Sequence, residues 1–171
     1  MASAMTTLAT HTFSAAGSDV IFSNIPATDV NGNTIRDLVV TFHGSFAVNR
    51  NLALRFNGDS TGSYDSVSAY GRFDSTPVSG ETRSATYVYA TYYQLVANEP
   101  GVASIDIIDA KVSGKHKSLI TKMGSAEGIG SVELNFSKWN NTAPITSVQV
   151  HVNSFQNFNP GSTVSLYGIA G

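Results

Sequence analysis

Leu52 to Phe73 reads LALRFNGDSTGSYDSVSAYGRF, and this stretch decides the fold class. Leu52, Leu54 and Phe56 alternate with Ala53, Arg55 and Asn57, the period of two that a strand with one buried face imposes. The pattern stops at Asn57, Gly58 and Asp59. Asn and Gly tolerate positive φ, and short polar side chains bond their own backbone, so the chain can reverse there. Val67, Ala69 and Gly71 resume the alternation, with Tyr70 on the opposite side. The expectation is a β-hairpin with an ornamented turn. It carries architecture and no reacting groups.

The same period recurs outward in both directions. Leu38, Val40 and Phe42 form one face, with Val39 and His43 opposed. Ile105 and Ile107 alternate with Ser104 and Asp106, and Val132, Leu134 and Phe136 alternate with Glu133 and Asn135. Val148, Val150 and Val152 follow, then Val164 and Leu166. The expected inward set is therefore Leu38, Val40, Phe42, Leu52, Leu54, Phe56, Val132, Leu134, Phe136, Val148, Val150 and Leu166. Turn chemistry separates the runs: Asn31-Gly32, Thr76 to Glu81 with Pro77 and Gly80, Asn98 to Gly101, Gly124 to Gly130, and Asn159-Pro160-Gly161, where Pro presets φ and Gly takes the positive φ. About nine or ten short strands at this spacing point to an all-β protein, a jelly-roll-like antiparallel β-sandwich. Long connections such as Tyr93–Ile105 fit strands that cross between two sheets.

Composition bounds the rest. The 171 residues fit one domain, read as residues 13–171, preceded by a small, polar N-terminal arm over residues 1–12. Only 13% of residues are charged, about half the usual globular share, and the net charge is −2. That excludes the clustered cations that nucleic acid or anionic lipid requires. Lys111, Lys115, His116, Lys117 and Lys122 are the one basic concentration, read as a solvated loop. Without cysteine, disulfides and thiolate chemistry are excluded. No segment reads as a secretory leader or a bilayer span, which suits a soluble protein made in a cytoplasm.

No catalytic set emerges. His11, His43, His116 and His151 share no metal-ligand spacing. Asp59 to Asp65 faintly resembles an oxygen-rich calcium loop but lacks the bidentate Glu at its end and a Gly at the expected position. No nucleophile elbow surrounds any serine, and Asp106 and Asp109 do not share a strand face. No enzyme activity, cofactor or metal is expected. The densest aromatic stretch holds Tyr87, Tyr89, Tyr92 and Tyr93, which could fill the core, form a subunit interface, or stack on sugars.

Several segments, taken in order, carry a resemblance. They are Phe22 to Pro26 (FSNIP) followed by Asp37 to Val40 (DLVV), Leu54 to Asp59 (LRFNGD) leading into Ser63-Tyr64, Trp139 to Ser147 (WNNTAPITS), and Gly161 to Ile169 (GSTVSLYGI). Together they resemble small β-sandwich virion structural proteins of tailed bacteriophages, which end in the same Leu-Tyr-Gly-Ile. The segment Thr28 to Ile35 is an insertion relative to that pattern. The resemblance implies a non-enzymatic virion component, first a capsid decoration (cement) protein that forms a homotrimer and contacts the major capsid protein or other virion proteins. The alternative it implies is a tail- or fibre-associated module that binds a host glycan.

Overall fold

Trp139, at the end of a nine-residue strand, is the largest fully buried side chain, and its placement fixes which way that strand faces. In the computed structural model, residues 5–72, 77–91, 94–125 and 130–171 are described. They form twelve strands: β1 Thr6–Thr12, β2 Asp19–Phe22, β3 Ile35–Gly44, β4 Leu52–Phe56, β5 Tyr64–Arg72, β6 Val78–Ala85, β7 Val88–Tyr89, β8 Gly101–Ile108, β9 Lys117–Ser125, β10 Ser131–Trp139, β11 Val148–Val152 and β12 Thr163–Ala170. The one helical element among the described residues is a 3-10 turn, Asn153–Phe155. An eight-stranded sheet runs β1-β12-β3-β8-β9-β10-β5-β6, and a four-stranded sheet runs β2-β11-β4-β7. Every described pairing is antiparallel. The chain passes repeatedly from one sheet to the other, and the two sheets enclose one apolar core. This is a jelly-roll-like β-sandwich.

The stretch Leu52–Arg72 departs from the expected hairpin. Its two strands lie in different sheets: β4 pairs with β11 and β7, whereas β5 pairs with β10 and β6. Asn57 to Ser63 is an inter-sheet corner, held by side chains rather than by a shared ladder. Asn57, at φ 50°, accepts the Thr146 and Ser147 amides on Oδ1 (2.8 and 3.1 Å) and donates Nδ2 to Pro144 O at 2.9 Å. Asp59 accepts the Trp139 indole N–H at 2.8 Å and the Thr61 amide at 3.0 Å. The Phe56 amide donates to the Tyr64 hydroxyl at 3.0 Å, and the Tyr64 ring stacks on Trp139. Burial pushes the Asp59 carboxyl up, but the donated bonds from Thr61, Trp139 and Ser63 outweigh it and hold it at about 2.

Trp139 also reverses part of the expected core. Side chains alternate along a strand, so burying Trp139 buries Ser137, Asn135, Glu133 and Ser131 with it. Val132, Leu134 and Phe136 therefore face outward, 59%, 39% and 51% exposed. On β5, likewise, Tyr64, Ser66 and Ser68 are buried while Val67 points out. The other nine residues of the inward set are buried as expected. A phenylalanine cluster closes one region of the core, with Phe13 and Phe158 stacked at 4.5 Å and Phe42 and Phe46 beside them.

Two other expectations change. The arm is in large part strand β1, which lines up antiparallel along β12 from Thr6↔Gly168 to Thr12↔Thr163; Met1 to Ala4 lie outside the described residues. Lys117 is wholly buried, its ammonium donating to Val112 O and Lys115 O at 2.6 Å, and Lys111 donates to Ile25 O and Ile145 O. These two lysines tie loops together rather than forming a solvated basic patch. Gly168, inside the Leu-Tyr-Gly-Ile run, is where the Ile35 side chain comes close: an added Cβ would meet Ile35 Cδ1 at 2.8 Å.

These placements order two mutations. Trp139→Ala is expected to cost about 3–5 kcal/mol, as for other buried aromatic truncations. Phe136→Ala is expected to cost less than about 1 kcal/mol. Urea unfolding of both variants at low protein concentration checks the ranking.

Candidate functional site

The outer face of the four-stranded sheet gathers Tyr87, Tyr89 and His151 with residues not singled out in the sequence. The register pairs Gln149 with Arg55 and Ile21, and pairs His151 with Ala53 and Asp19. Tyr87 and Tyr89 flank the short strand residue Val88, which is buried, so both rings lie on the opposite, outer side, 5.0 Å apart. Their hydroxyls are 3.1 Å apart, and Tyr87 donates to Asn153 Oδ1 at 2.7 Å. Burial, the Tyr89 hydrogen bond and the Tyr89 charge all push the Tyr87 phenol up, so it stays protonated as that donor. Tyr92 and Tyr93 lie outside the described residues.

His151 is fully buried beneath this cluster. Its ring meets Tyr87 edge-on at 5.2 Å and stacks on Phe155 at 4.7 Å. Nδ1 is 3.1 Å from Val152 O, and Nε2 has no partner among the described residues. Burial chiefly lowers its pKa; the Val152 carbonyl opposes, the Arg55 charge reinforces, and Asp19 opposes. The ring is neutral at neutral pH.

Phe155 is the exposed member, 46% accessible. Ser154 and Phe155 both adopt positive φ, 61° and 51°. A bulky residue there is a genuine outlier, and each such position costs on the order of 1–3 kcal/mol. From this turn the Phe155 ring lies flat on His151, and the Arg55 guanidinium carbon sits over it, 5.9 Å from the centroid. Arg55 donates Nε to Thr86 O and Nη1 to Gln149 Oε1, and Gln149 donates to Asp19 Oδ2 at 2.7 Å. Sequence alone places His151 as an ordinary strand histidine and gives Arg55 no role. Only the cross-strand register joins them.

A second surface lies on the outer face of the eight-stranded sheet. Cross-strand registers align Asp106, Ile120, Phe136 and Val67 in one row and Ser104, Lys122, Leu134 and Ala69 in the next. The third row is Val102, Gly124, Val132 and Gly71. Val67 and Val102 are 56% and 51% exposed. Lys122 pairs with Asp106 at 3.3 Å, so the cation beside the apolar rows is neutralised in place. Pro77 and Ser79 on one side, with Val132 and Leu134, border a shallow depression of about 750 Å³.

Elsewhere the titratable groups serve structure. Asp109 accepts from Arg36 at 2.7 Å and lies 3.6 Å from Lys115, and the Arg36 bond chiefly holds its carboxyl low. No three His, Cys, Asp or Glu converge on a metal-sized site among the described residues.

No protein-family model matches the chain, and no curated protein does. Among solved structures, the galectin LEC-6 of Caenorhabditis elegans aligns over 95% of this chain and 96% of its own, at 9% identity and TM-score 0.36. The PL-14 alginate lyase of Aplysia kurodai aligns over 88% and 80%, at 6% identity and TM-score 0.31. The alginate lyase Aly36B, in a mutant bound to alginate tetrasaccharide, aligns over 94% and 77%, at 7% identity and TM-score 0.31. Likeness at this level carries no function to the chain.

His151 gives the fold a pH dependence of definite sign. Its folded pKa lies below the ordinary value near 6.5, so below that pH the unfolded chain takes up a proton that the folded chain refuses. Its contribution therefore destabilises the fold as pH falls, and vanishes above the unfolded pKa. Denaturant midpoints measured between about pH 7 and pH 5 should fall with pH in the parent and fall less in His151→Phe.

Proposed function

We propose that this chain is a non-enzymatic structural protein of a tailed-bacteriophage virion, a capsid decoration (cement) protein. In this reading it self-associates, as a homotrimer, through the outer face of the eight-stranded sheet, and the oligomer sits on the head lattice against the major capsid protein. The observation that carries it is the apolar field of Val67, Val102, Val132, Leu134 and Phe136, exposed in the single chain and interrupted within its second row only by Lys122, whose charge Asp106 balances at 3.3 Å. An exposed apolar field of this kind marks a protein interface. A second copy is the occupant the chemistry favours, because the field has almost no charge to complement and a self-interface needs none.

The segments behind the phage resemblance support the reading in a second way. Asn57 of LRFNGD bonds Pro144, Thr146 and Ser147 of WNNTAPITS, and Trp139 bonds Asp59. Two of these segments meet in one physical joint between the sheets. A lattice-bound protein stabilises the assembled particle by mass action, since it favours the state that displays its site.

Light scattering on the purified chain should give a mass of about three copies. Phe136→Lys should shift it to monomer while leaving the far-ultraviolet circular dichroism unchanged. Imaging of the parent virion should place the protein on the head in many copies. A strictly monomeric chain that is absent from heads would overturn the proposal.

A further inference from the structure

We propose that the outer face of the four-stranded sheet is a saccharide-binding site for a neutral hexopyranose unit, with Phe155 as its stacking platform. The site is separate from the apolar field, lies on the other sheet, and does not depend on the virion reading.

Three observations meet at this place. The first is an exposed aromatic ring held in position: Phe155 is stacked on the buried His151 at 4.7 Å and 13° and is still 46% accessible. A pyranose presents a patch of C–H groups on one face, and such patches lie against aromatic rings. The second is the polar border. The Arg55 guanidinium lies over the ring, its carbon 5.9 Å from the centroid, and is hydrogen-bonded to the Gln149 amide and through it to the Asp19 carboxylate. Planar donors and acceptors already ordered by one another bind vicinal hydroxyls with little further loss of freedom. The third is the backbone. Two consecutive non-glycine residues, Ser154 and Phe155, stand at positive φ in a three-residue turn. Strain of this kind clusters at ligand sites, where the surroundings over-determine it.

The support beneath the ring fits the same use. His151 is neutral and wedged between Phe155 and the edge of Tyr87, so it backs the platform without adding charge. Tyr87 is fixed in turn by Asn153, which opens the turn carrying Phe155. Arg55 and Asp19 stand at the two ends of the bridge through Gln149, one charge of each sign, which favours a neutral sugar over an acidic one.

The test uses the full chain and the methyl pyranosides of glucose, galactose, mannose and N-acetylglucosamine, with methyl glucuronide as the acidic arm. Saturation-transfer NMR should detect at least one neutral glycoside with millimolar affinity, and amide shifts should concentrate at Arg55, Gln149 and Phe155. Phe155→Ala should weaken that binding at least about tenfold, and Phe155→Trp should retain it. The substituted ring is at the surface, so circular dichroism of both variants should match the parent. Phe136→Lys, on the other sheet, should bind as the parent does. No binding by any neutral glycoside, binding that survives Phe155→Ala, or binding of the glucuronide alone would each overturn the assignment.

Discussion

A strand with period-two side chains has one choice to make, and in β10 the burial of Trp139 makes it. The indole is fastened by Asp59 across the inter-sheet corner and flanked by Phe56 and Tyr64. The other face offers Phe136, a smaller ring, with Leu134 and Val132, and these stay exposed. Once Trp139 is inside, the β10 register with β9 and β5 carries the parity sideways: Ser137 sits opposite Leu119 and Ser66, and all three are buried. The interior there becomes partly polar and is satisfied only in part: the Ser66 and Ser137 hydroxyls pair at 2.9 Å and Asn135 donates to Tyr89 O, while Asn135 Oδ1 and Thr121 Oγ1 have no hydrogen-bond partner among the described residues. The same choice turns Val132, Leu134 and Phe136 to the outside. An inward polar row and an outward apolar row are two consequences of one anchored ring.

This explains what the sequence made legible and what it did not. The alternation in Ser131–Trp139 is plain in the letters, but the rule that apolar residues face inward selects the wrong row there, because it ignores the odd-parity tryptophan at the strand's end. The corner at Asn57-Gly58-Asp59 is legible as a reversal of the chain. The side-chain chemistry of a reversal is the same whether the next strand joins its neighbour or crosses to the facing sheet, so the sheet assignment is not local information. Thr6–Thr12 was invisible as a strand because an edge strand needs little beyond its backbone bonds, and this one brings mainly Leu8 and Ala9 to the core. Lys117 shows the limit of reading charge as exposure: its stem lies in the core while its ammonium reaches two carbonyls.

The candidate sites divide along the same line. Tyr87 and Tyr89 were visible as an aromatic concentration whose role stayed open among core, interface and sugar. Arg55, Gln149, His151 and Phe155 are spread over a hundred residues and acquire a relation only through the β4–β11 register and the turn at Asn153–Phe155. The two sheets present opposite outer faces, one apolar and nearly uncharged, the other aromatic and bordered by ordered polar groups. On the proposed reading, the module holds to its own kind on one side while displaying a small polar site on the other.

The pairing of Thr6 with Gly168 has a mechanical consequence. The two ends of the described chain leave the sheet side by side, at one end of a single antiparallel ladder on the edge. Tension applied between them loads that ladder in the unzipping direction, so its hydrogen bonds break in succession and β1 peels first. The Trp139 joint lies several strands away and feels little of that pull. A load pressing across the two sheets meets the close-packed core directly. The molecule is therefore soft to being drawn out by its ends and stiff to being squeezed.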